Sequence, residues 1–488
     1  MHSLDDTIAA IATAPGAAGL AVVRISGQQA LAFSDRAFSG TGALVSAATH
    51  TLHHGWAMRR VAGTGPAVAE RLDEVVAAVF RAPRSYTRED VVELSCHGGR
   101  LPALRVLEAL IEAGARLAAP GEFSMRAFLN GRIDLAQAEA VADVIHAETD
   151  AARALAVAQL AGDLSRRLRG LFEPLNDTLA EIEARVDFAE DVGGIEVPAH
   201  ALDCLDAATT ELARLVEHAS YARAVRDGAR VPIVGRPNAG KSSLFNALLG
   251  EQRALVTELP GTTRDRVSES VEIDGVRVVL SDTAGIRDSP ERIEALGIAL
   301  SETVLAECPV AIWVVDASQP LGAADERIAG LLVGKRVVVA LNKSDLPARV
   351  SDAQLSELLG HCAVAEGSAA GGSAVASSAA QVRWAVRVPC SAARGEGLRE
   401  LRAAILEVLG GFAASGLTLA VSNPRHIDAL RRARLALERA SLRGREGAPG
   451  EIVAIELREG LAAIGEVTGA GVDPELLDRI FSRFCVGK

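Results

Sequence analysis

A glycine-rich segment that ends in lysine and serine is the strongest chemical signal in the sequence. The residues from Gly235 to Ser242 read G-x-x-x-x-G-K-S, with a β-rich run (Val231 to Val234) before them and an apolar helical run after them. This spacing turns successive backbone N–H groups toward phosphates at a helix N-terminus, where the helix dipole also favours anions. Lys241 is expected to reach the β- and γ-phosphates, and Ser242 to ligate Mg²⁺. An ordinary turn between a strand and a helix is the weaker interpretation.

A second motif predicts which base is bound. Asn342 to Asp345 read N-K-S-D and follow the apolar run R-V-V-V-A-L. The carboxylate of Asp345 only accepts hydrogen bonds, so it can take both the N1–H and the exocyclic amine of guanine, whereas adenine would leave it unpaired. The segment C-S-A-A-R-G-E-G-L, which begins at Cys390, is similar to the loop that closes over guanine in GTPases. Together these motifs indicate GTP rather than ATP.

Two segments between these motifs supply further candidates. P-G-T-T-R-D runs from Pro260 to Asp265, and D-T-A-G follows the strand-like run V-R-V-V-L-S. Thr263 is a candidate second hydroxyl ligand of Mg²⁺, Asp282 can hold the metal through water, and Gly285 can give a backbone N–H to the γ-phosphate. The order of motifs is that of a Ras-like GTPase domain, a doubly wound α/β sheet that binds nucleotide at the carboxyl ends of its strands.

One departure from Ras-like enzymes bears on hydrolysis. Those enzymes orient the attacking water with a glutamine directly after D-T-A-G, but this chain has Ile286, which cannot hydrogen-bond to water. Arg287, Glu291 and Glu294 follow within reach, and each could equally be a solvated charge on a helix face. The spacing does not choose among them.

Composition and charge limit the class of protein. The chain has 488 residues, 49% hydrophobic and 23% charged, so two to four globular domains are expected. It opens without a secretion signal and has no apolar run of membrane-spanning length, which predicts a cytoplasmic protein without a membrane partner. The six scattered cysteines are interpreted as free thiols. The net charge of −12 argues against nonspecific coating of nucleic acid.

A nucleic-acid substrate would therefore need a local basic patch. The best candidate is R-R-A-R-L-A-L-E-R-A-S-L-R-G-R, residues 431–445, although a solvated helix face explains this run at least as well. Lysine is rare among the 51 basic residues, and its retention hints at positions that need a compact ammonium. The lysines are Lys241, Lys335, Lys343 and Lys488.

The segments that position these motifs differ in pattern. Residues 1–131 are interpreted as α/β, whereas residues 132–228 carry apolar residues at helical spacing, with Gly162 as a breaker in their alanine-rich run. Helical character resumes after S-N-P-R-H (422–426), which implies one helical bundle interrupted by the GTPase domain. The predicted domains are 1–131, 132–228, 229–411 and 412–488. The Gly/Ser/Ala-rich run from Ala365 predicts a flexible insertion without a catalytic role.

Several motifs together carry a family resemblance. G-R-P-N-A-G-K-S-S, G-T-T-R-D, D-T-A-G-I-R and the final R-I-F-S-R-F-C-V-G-K resemble the MnmE (TrmE) family of tRNA modification GTPases over nearly the whole chain. The family more often ends in C-I-G-K. The resemblance implies an N-terminal folate-binding domain, a helical domain and an inserted GTPase domain. It also implies that two GTPase domains pair around potassium, which replaces an arginine finger worth about 10³- to 10⁵-fold in rate elsewhere.

The resemblance also implies roles for single residues by motif position. Glu294 would position the attacking water. The implied potassium ligands are Asn238, Thr257, Leu259 and Thr262, and the implied magnesium ligands are Ser242 and Thr263. The full set of implied GTP contacts is Asn238, Ala239, Gly240, Lys241, Ser242, Ser243, Thr257, Glu258, Leu259, Pro260, Gly261, Thr262, Thr263, Asp282, Thr283, Ala284, Gly285, Asn342, Lys343, Asp345, Ser391 and Ala392.

A folate site is implied in the same way. Arg24, Glu93, Arg132 and Lys488 would bind 5-formyl- or methylene-tetrahydrofolate, and the family commonly has lysine in place of Arg132. A carboxylate that pairs with a pterin amine is chemically sensible, but without the resemblance, surface ion pairs would be preferred. Cys485 is either a catalytic nucleophile or acid/base, which requires a depressed pKa or a neighbouring base, or part of a wall of the folate pocket.

The expected function is a homodimeric, potassium-stimulated GTPase that acts with an FAD-containing partner of the GidA (MnmG) type in a heterotetramer. The pair would add an aminomethyl or carboxymethylaminomethyl group to C5 of the wobble uridine of certain tRNAs, with glycine or ammonium as amine donor. The alternatives are a ribosome-assembly GTPase of the Era or Der type and a regulatory GTPase without chemistry of its own. The sequence shows no second P-loop of the kind that Der carries.

Overall fold

The computed structural model describes residues 5–61, 68–187, 196–250, 268–282, 308, 310–359, 384–409, 421–482, 484 and 486–487. They divide into two compact units. The first unit consists of Met1–Ile145, Gln159–Asp177 and Arg458–Lys488, and the second of His146–Ala158 and Thr178–Leu457. Within the described ranges, no helix is both long and apolar enough to cross a bilayer.

The described strands are numbered along the chain. They are β1 (Ile8–Ile11), β2 (Leu20–Ser26), β3 (Phe38–Gly40), β4 (Thr51–Val61), β5 (Val68–Phe80), β6 (Val91–His97), β7 (Arg116–Leu117), β8 (Ala229–Val234), β9 (Ser268–Ile273), β10 (Val276–Asp282), β11 (Val310–Asp316), β12 (Arg336–Asn342) and β13 (Trp384–Pro389). The first seven form one sheet and the other six a second sheet.

The described helices are numbered in the same way. They are α1 (Ala30–Arg36), α2 (Arg100–Glu112), α3 (Glu122–Leu129), α4 (Leu135–His146), α5 (Asp150–Leu160), α6 (Asp163–Asp187), α7 (Ala199–Glu217), α8 (Ala219–Asp227), α9 (Lys241–Gly250), α10 (Ala323–Leu331), α11 (Asp352–Leu358), α12 (Leu398–Val408), α13 (Pro424–Arg445), α14 (Gly450–Thr468) and α15 (Pro474–Phe481). A 3₁₀ turn lies at Leu44–Ser46.

The seven-stranded sheet belongs to the first unit. Its strand order is β3-β4-β5-β6-β2-β1-β7, and all neighbours are antiparallel except β1 and β7. In β2, Ala21, Val23 and Ile25 are buried in a core with residues of α2, whereas Arg24 is only partly buried. This alternation follows from the two-residue period of a strand and places Arg24 on the face opposite the core.

The six-stranded sheet belongs to the second unit. Its order is β13-β12-β11-β8-β10-β9, and all neighbours are parallel except β9 and β10. All residues of β11 are buried, as expected for a strand with helices on both faces. Ile312 and Val314 pack with residues of α9 and α12, whereas Trp313 and Val315 pack with residues of α10 and α11. This confirms the predicted doubly wound α/β sheet.

The second unit also contains long helices from two distant parts of the sequence. Helix α7 buries Leu205, Leu212 and Leu215 at helical spacing, and α13 buries a similar stripe of alanines and leucines. Ser441 of α13 donates a hydrogen bond of 2.6 Å to Asp206 of α7, so the two helices are in direct contact. Helix α13 begins at Pro424, inside the S-N-P-R-H segment rather than after it.

Three further sequence predictions concern a helix break, the cysteines and the Gly/Ser/Ala-rich run. Gly162 has a φ of +83° and separates α5 from α6, which confirms the predicted helix break. Cys96, Cys204, Cys308 and Cys390 are not in disulfide bonds, as predicted. The Gly/Ser/Ala-rich run that begins at Ala365 lies outside the described residues.

Candidate functional site

The glycine-rich motif folds as the loop between β8 and α9. Asn238 and Gly240 have φ angles of +62° and +95°, a region that glycine enters freely and asparagine tolerates better than most residues. A Cβ atom on Gly240 would lie 2.1 Å from Nδ2 of Asn342, so a larger residue would push the loop away from β12. Ser242 and Ser243 are exposed in the first turn of α9, where backbone N–H groups lack intrahelical acceptors.

Lys241 folds back onto this loop. Its Nζ atom donates to the carbonyl oxygens of Gly235 at 2.8 Å and Arg236 at 2.9 Å, and the residue is buried. Neutral carbonyls satisfy the ammonium, but a phosphate oxygen is a stronger, charge-assisted partner. The loop therefore holds a cation beside a helix N-terminus, which is the arrangement that suits a phosphate group.

Asn342, at the end of β12, joins the two nucleotide motifs. Its Nδ2 donates to the carbonyl oxygen of Ala239 at 2.9 Å, and its Oδ1 accepts from the backbone N–H of Ala392 at 3.0 Å. An amide has one donor side and one acceptor side, so a single side chain connects the phosphate loop to the loop predicted to close over the base. Sequence reasoning named Asn342 as a GTP contact; in the structure its side chain contacts both protein loops.

Lys343 makes a further connection between neighbouring strand ends. Its Nζ donates to the carbonyl oxygen of Asn238 at 3.1 Å and to Oδ2 of Asp316 at 2.7 Å. Burial raises the pKa of Asp316, but hydrogen bonds from Lys343 and Ser318 more than offset this, so the pKa lies below its ordinary value. Asp316 is ionised at neutral pH and fixes the lysine whose backbone turns at a φ of +62°.

Sequence reasoning missed Asp316. The signal was present, because V-A-I-W-V-V-D is an apolar run that ends in a carboxylate, as V-R-V-V-L-S-D is. In the sheet, Asp316 is in register with Asn342 on the adjacent strand. Parallel strands end at the same edge, so an acidic residue there faces the same site as the N-K-S-D motif.

Asp345 is oriented by Ser391, in the loop that is predicted to close over the base. A hydrogen bond from the Ser391 side chain is the main reason that its pKa lies below the ordinary value, and Nε of Arg394 lies 3.9 Å from its Oδ2. Ser391 is buried, whereas Asp345 keeps 17% of its side chain exposed. The carboxylate is thus ionised, held by the protein and open to a ligand, as guanine recognition requires.

The remaining predicted GTP and metal contacts are only partly described. Asp282 ends β10 in register with Ile233 of β8, so its backbone lies beside the strand that leads into the phosphate loop. Of the predicted potassium ligands, the structure describes Asn238, and of the magnesium ligands, Ser242. The other predicted contacts and the predicted water-positioning residue lie outside the described residues: Thr257, Glu258, Leu259, Pro260, Gly261, Thr262, Thr263, Thr283, Ala284, Gly285 and Glu294.

Three of the predicted folate residues come together in the first unit. Arg24 and Glu93 are cross-strand neighbours on β2 and β6, and both Nε and Nη2 of Arg24 lie 2.8 Å from Oε1 of Glu93. The guanidinium groups of Arg24 and Arg132 lie 5.1 Å and 4.8 Å from the ring centroid of Tyr86. Arg132 also donates to the carbonyl oxygen of Tyr86 at 2.9 Å. The cluster is therefore a carboxylate and two cations around one aromatic ring.

Sequence reasoning also missed Tyr86. The chain contains only two tyrosines, so an aromatic residue in the polar segment R-S-Y-T-R shortly before β6 was an available signal. The Tyr86 hydroxyl lies 2.8 Å from the hydroxyl of Ser124, which fixes the ring orientation. A ring held this way gives a flat surface on which a pterin can stack.

Buried charges anchor the loop that carries Tyr86. Arg126 is fully buried and pairs with Asp6, Glu89 and Glu122, at 3.2 Å for Glu89 and 3.1 Å for Glu122. Glu89 also accepts a 2.6 Å hydrogen bond from Ser26 of β2. Burial raises the pKa of Glu122, but hydrogen bonds from Arg116, Arg126 and a backbone N–H lower it below the ordinary value. The network joins the segment before β1, strand β2, the loop before β6 and helix α3.

The end of the sequence reaches the same cluster. Phe484 packs in a buried group with residues of α4 and α15, and Nη1 of Arg24 donates to the carbonyl oxygen of Gly487 at 3.3 Å. Val486 lines a largely apolar cavity of about 1120 Å³ in the first unit, together with Ile11 and Leu20. The predicted site residues Cys485 and Lys488 lie outside the described residues.

Comparisons with known proteins cover nearly the whole chain. Family models match at residues 7–132, for the N-terminus of the GTP-binding protein TrmE, and at residues 135–485, for the MnmE helical domain. The tRNA modification GTPase MnmE of Symbiobacterium thermophilum is 44% identical, and that of Geobacter sulfurreducens 42% identical, each over 99% of this chain and 100% of the relative.

A solved structure of Era from Aquifex aeolicus is 26% identical over 42% of this chain and 66% of that chain, with a TM-score of 0.27. The helical-domain model matches well over half of the chain, and the two relatives exceed 40% identity along nearly all of it. The chain belongs to the MnmE family of tRNA modification GTPases.

Proposed function

We propose that the chain hydrolyses GTP in a tRNA modification reaction and binds a tetrahydrofolate in its first unit. The observation that carries the nucleotide part is Asn342, whose amide connects Ala239 of the phosphate loop to Ala392 of the base loop. Phosphate recognition and base recognition would thereby take place at one edge of the six-stranded sheet. Full-length similarity to relatives named tRNA modification GTPase supports the role in tRNA modification.

Separate groups of residues would bind the phosphates and the guanine base of the nucleotide. Lys241 and the first turn of α9 would hold the phosphates, because a buried ammonium group lies beside the positive end of the helix dipole there. Asp345 would accept both donors of the guanine edge, since Ser391 keeps its carboxylate ionised and oriented. Glu294 would position the attacking water; family membership supports this role, and Ile286 lacks the required hydrogen-bonding group.

The donor atoms that are present suit two metal ions. Ser242, with Thr263, would ligate Mg²⁺, and Asp282 would hold it through water, because hydroxyl and carboxylate oxygens are preferred ligands of this cation. Asn238 is exposed on the phosphate loop and offers an amide oxygen to a potassium ion, which Thr257, Leu259 and Thr262 would complete. Potassium would supply the positive charge that an arginine finger gives elsewhere.

The folate would bind at the cluster of Arg24, Glu93 and Arg132. The Glu93 carboxylate uses Oε1 for Arg24, so Oε2 is the atom suited to a pterin amine. The Tyr86 ring would stack on the pterin, and Arg132 or Lys488 would face the glutamate of the folate.

Family membership also supports the proposed assembly. The chain would form a homodimer and act with an FAD-containing protein of the GidA (MnmG) type, with the flavin on that partner. The product would be an aminomethyl-type group at C5 of the wobble uridine. The proposed boundaries remain 1–131, 132–228, 229–411 and 412–488, supported by the start of β8 at Ala229 and the end of α12 at Val408.

The proposal is tested by GTP turnover in matched potassium and sodium chloride at several protein concentrations. Strong potassium stimulation that rises with concentration would support paired GTPase domains. In parallel, tRNA nucleosides are analysed by mass spectrometry in cells whose only copy carries Cys485→Ser or Lys241→Ala. Normal wobble modification in Lys241→Ala cells would contradict a GTP-driven modification, and normal modification in Cys485→Ser cells would assign the thiol a structural role.

A further inference from the structure

The tail segment, defined as Phe484, Val486 and Gly487, ends in a glycine that no other residue can replace without movement. Gly487 is buried and has a φ of +95°. A Cβ atom at this position would lie 2.3 Å from the carbonyl oxygen of Ile11 and 2.8 Å from Cα of Ala12. Both contacts are to backbone atoms, and the φ angle is itself unfavourable for residues with a side chain.

The strand against which Gly487 packs cannot easily yield. β1 pairs with β2 on one side and with β7 on the other. Just past its end, the N–H of Ala12 donates to the carbonyl oxygen of Val22 at 2.7 Å. Moving this backbone would break ladder hydrogen bonds, so an added Cβ on Gly487 would displace the tail segment instead.

The carbonyl group of Gly487 is used by the candidate folate site. Arg24 directs Nη1 to this oxygen at 3.3 Å and directs Nε and Nη2 to Oε1 of Glu93. One planar guanidinium therefore serves two acceptors that lie in different directions, which a lysine ammonium on a flexible stem cannot reproduce in the same way. The Arg24 side chain is only 15% exposed and also lies near the rings of Tyr86 and Phe123.

The other end of the tail segment is held independently. Phe484 lies beside Phe481, with 5.4 Å between ring centroids, in the buried cluster that includes Leu135. The N–H of Phe484 donates to the carbonyl oxygen of Phe481 at 3.0 Å. Loss of the contact at Gly487 would thus release the final residues while the aromatic anchor stays in place.

We propose that Gly487 is a positioning residue of the folate site: its left-handed backbone brings its carbonyl oxygen to Arg24 and so fixes the guanidinium that pairs with Glu93. The inference rests on the proposed folate function of Arg24 and Glu93. The tail segment would then contribute to folate binding, because the contact that holds Gly487 in place also orients Arg24 and, through it, the carboxylate of Glu93.

The test uses the full chain with Gly487→Ala. Hydrogen–deuterium exchange of the peptide that covers residues 482–488 is expected to become about tenfold faster, because the alanine disfavours the seated conformation. Affinity for 5-formyl-tetrahydrofolate is expected to fall about fivefold in equilibrium dialysis, since the hydrogen bond that orients Arg24 is lost. Peptides from β1 and α2 should keep their wild-type exchange, which shows that the unit is still folded.

Gly471→Ala is the matched control. Gly471 has a φ of +70°, but nothing lies within 4 Å of an added Cβ, so this variant introduces backbone strain without a close contact. Its tail exchange and folate affinity should equal those of the wild type. Arg24→Lys should speed tail exchange as Gly487→Ala does, and the double variant should show little additional effect, because both changes remove the same contact.

The outcomes separate the two claims. Wild-type tail exchange in Gly487→Ala, or faster exchange with unchanged folate affinity, overturns the positioning role. A wild-type chain that does not bind 5-formyl-tetrahydrofolate defeats the proposed folate function, whereas the exchange data still decide whether Gly487 and Arg24 hold the segment together.

Discussion

The nucleotide site of the second unit and the candidate folate site of the first unit are assembled in different ways. In the second unit, the site residues follow directly on parallel strands that end at one edge: the phosphate loop after β8, Asp316 on β11 and Asn342 on β12. Each motif is a short run of consecutive residues. The sheet topology alone brings such runs together.

In the first unit, the cluster depends on pairs that are far apart in the sequence. Arg24 and Glu93 meet because β2 and β6 are adjacent, and Arg132 arrives from the segment after α3 to lie over Tyr86. The tail segment adds a contact to Arg24 from the other end of the sequence. A site of this kind rests on side-chain networks, so it should respond to changes that leave the nucleotide site intact.

The largest expected effect breaks the network beneath the folate cluster. Arg126→Met removes the fully buried partner of Asp6, Glu89 and Glu122, although Asp6 and Glu122 keep Arg116. Removing one member of a buried ion pair costs about 3–5 kcal/mol. Urea unfolding should show a loss of this size, with loss of folate binding. The control Arg105→Met removes an exposed pair with Glu108 and should cost less than about 1 kcal/mol. An equal loss of unfolding free energy in the two variants would contradict the stabilising role assigned to Arg126.

The next effect concerns the nucleotide site alone. Lys241→Ala should weaken GTP binding at least about 100-fold, as expected for a charge-assisted contact worth about 3 kcal/mol, and should leave 5-formyl-tetrahydrofolate affinity unchanged. The measurement is a fluorescence titration with a GTP analogue. Lys335→Ala is the matched control, because Lys335 binds the carbonyl oxygen of Cys308 outside the site. Unchanged GTP affinity in Lys241→Ala would contradict the phosphate-loop assignment.

A smaller effect tests the missed aromatic residue. Tyr86→Leu keeps apolar bulk but removes the ring that faces Arg24 and Arg132, and folate affinity should fall about tenfold, since aromatic stacking and cation–π contacts are each worth about 1 kcal/mol. Tyr86→Phe keeps the ring and should bind within about twofold of the wild type. If Tyr86→Phe loses as much affinity as Tyr86→Leu, the hydroxyl contact with Ser124 matters more than the ring.

The smallest expected effect is a pH dependence of the first unit. The pKa values of Asp6 and Glu122 lie below their ordinary values because arginine partners outweigh the effect of burial. Carboxylates of this kind stabilise the fold above their unfolded pKa, and that stabilisation is lost as pH falls through the lower folded pKa. The urea midpoint should be steady near neutral pH and fall below about pH 4. In Arg126→Met this acid-dependent loss should be smaller; an undiminished loss would assign it to other groups.

The same contrast explains what the sequence could predict. The runs L-A-V-V-R-I-S and V-R-V-V-L-S-D form β2 and β10, because apolar alternation and burial are properties of consecutive residues. The phosphate loop and the N-K-S-D motif were recognisable for the same reason. Asp316 could have been found by its place at the end of an apolar run.

Other features needed the fold. The pairing of Arg24 with Glu93 follows from strand register, and the roles of Tyr86 and Gly487 follow from contacts between segments that are remote in sequence. The sequence predicts that Asn342 contacts GTP. Only the fold shows that its side-chain amide connects the phosphate loop to the base loop. Short motifs specify chemistry, whereas side-chain networks that position it depend on tertiary packing.

The most direct test of the account is nucleotide selectivity after Asp345→Asn. Steady-state kcat/KM is measured with GTP and with xanthosine triphosphate for the wild type and the variant. The account predicts that GTP turnover falls about 100-fold or more, because an amide cannot accept both guanine donors, while xanthosine triphosphate becomes the better substrate because its extra carbonyl can accept from the new amide. Retention of wild-type GTP selectivity would contradict the assignment of this site to guanine.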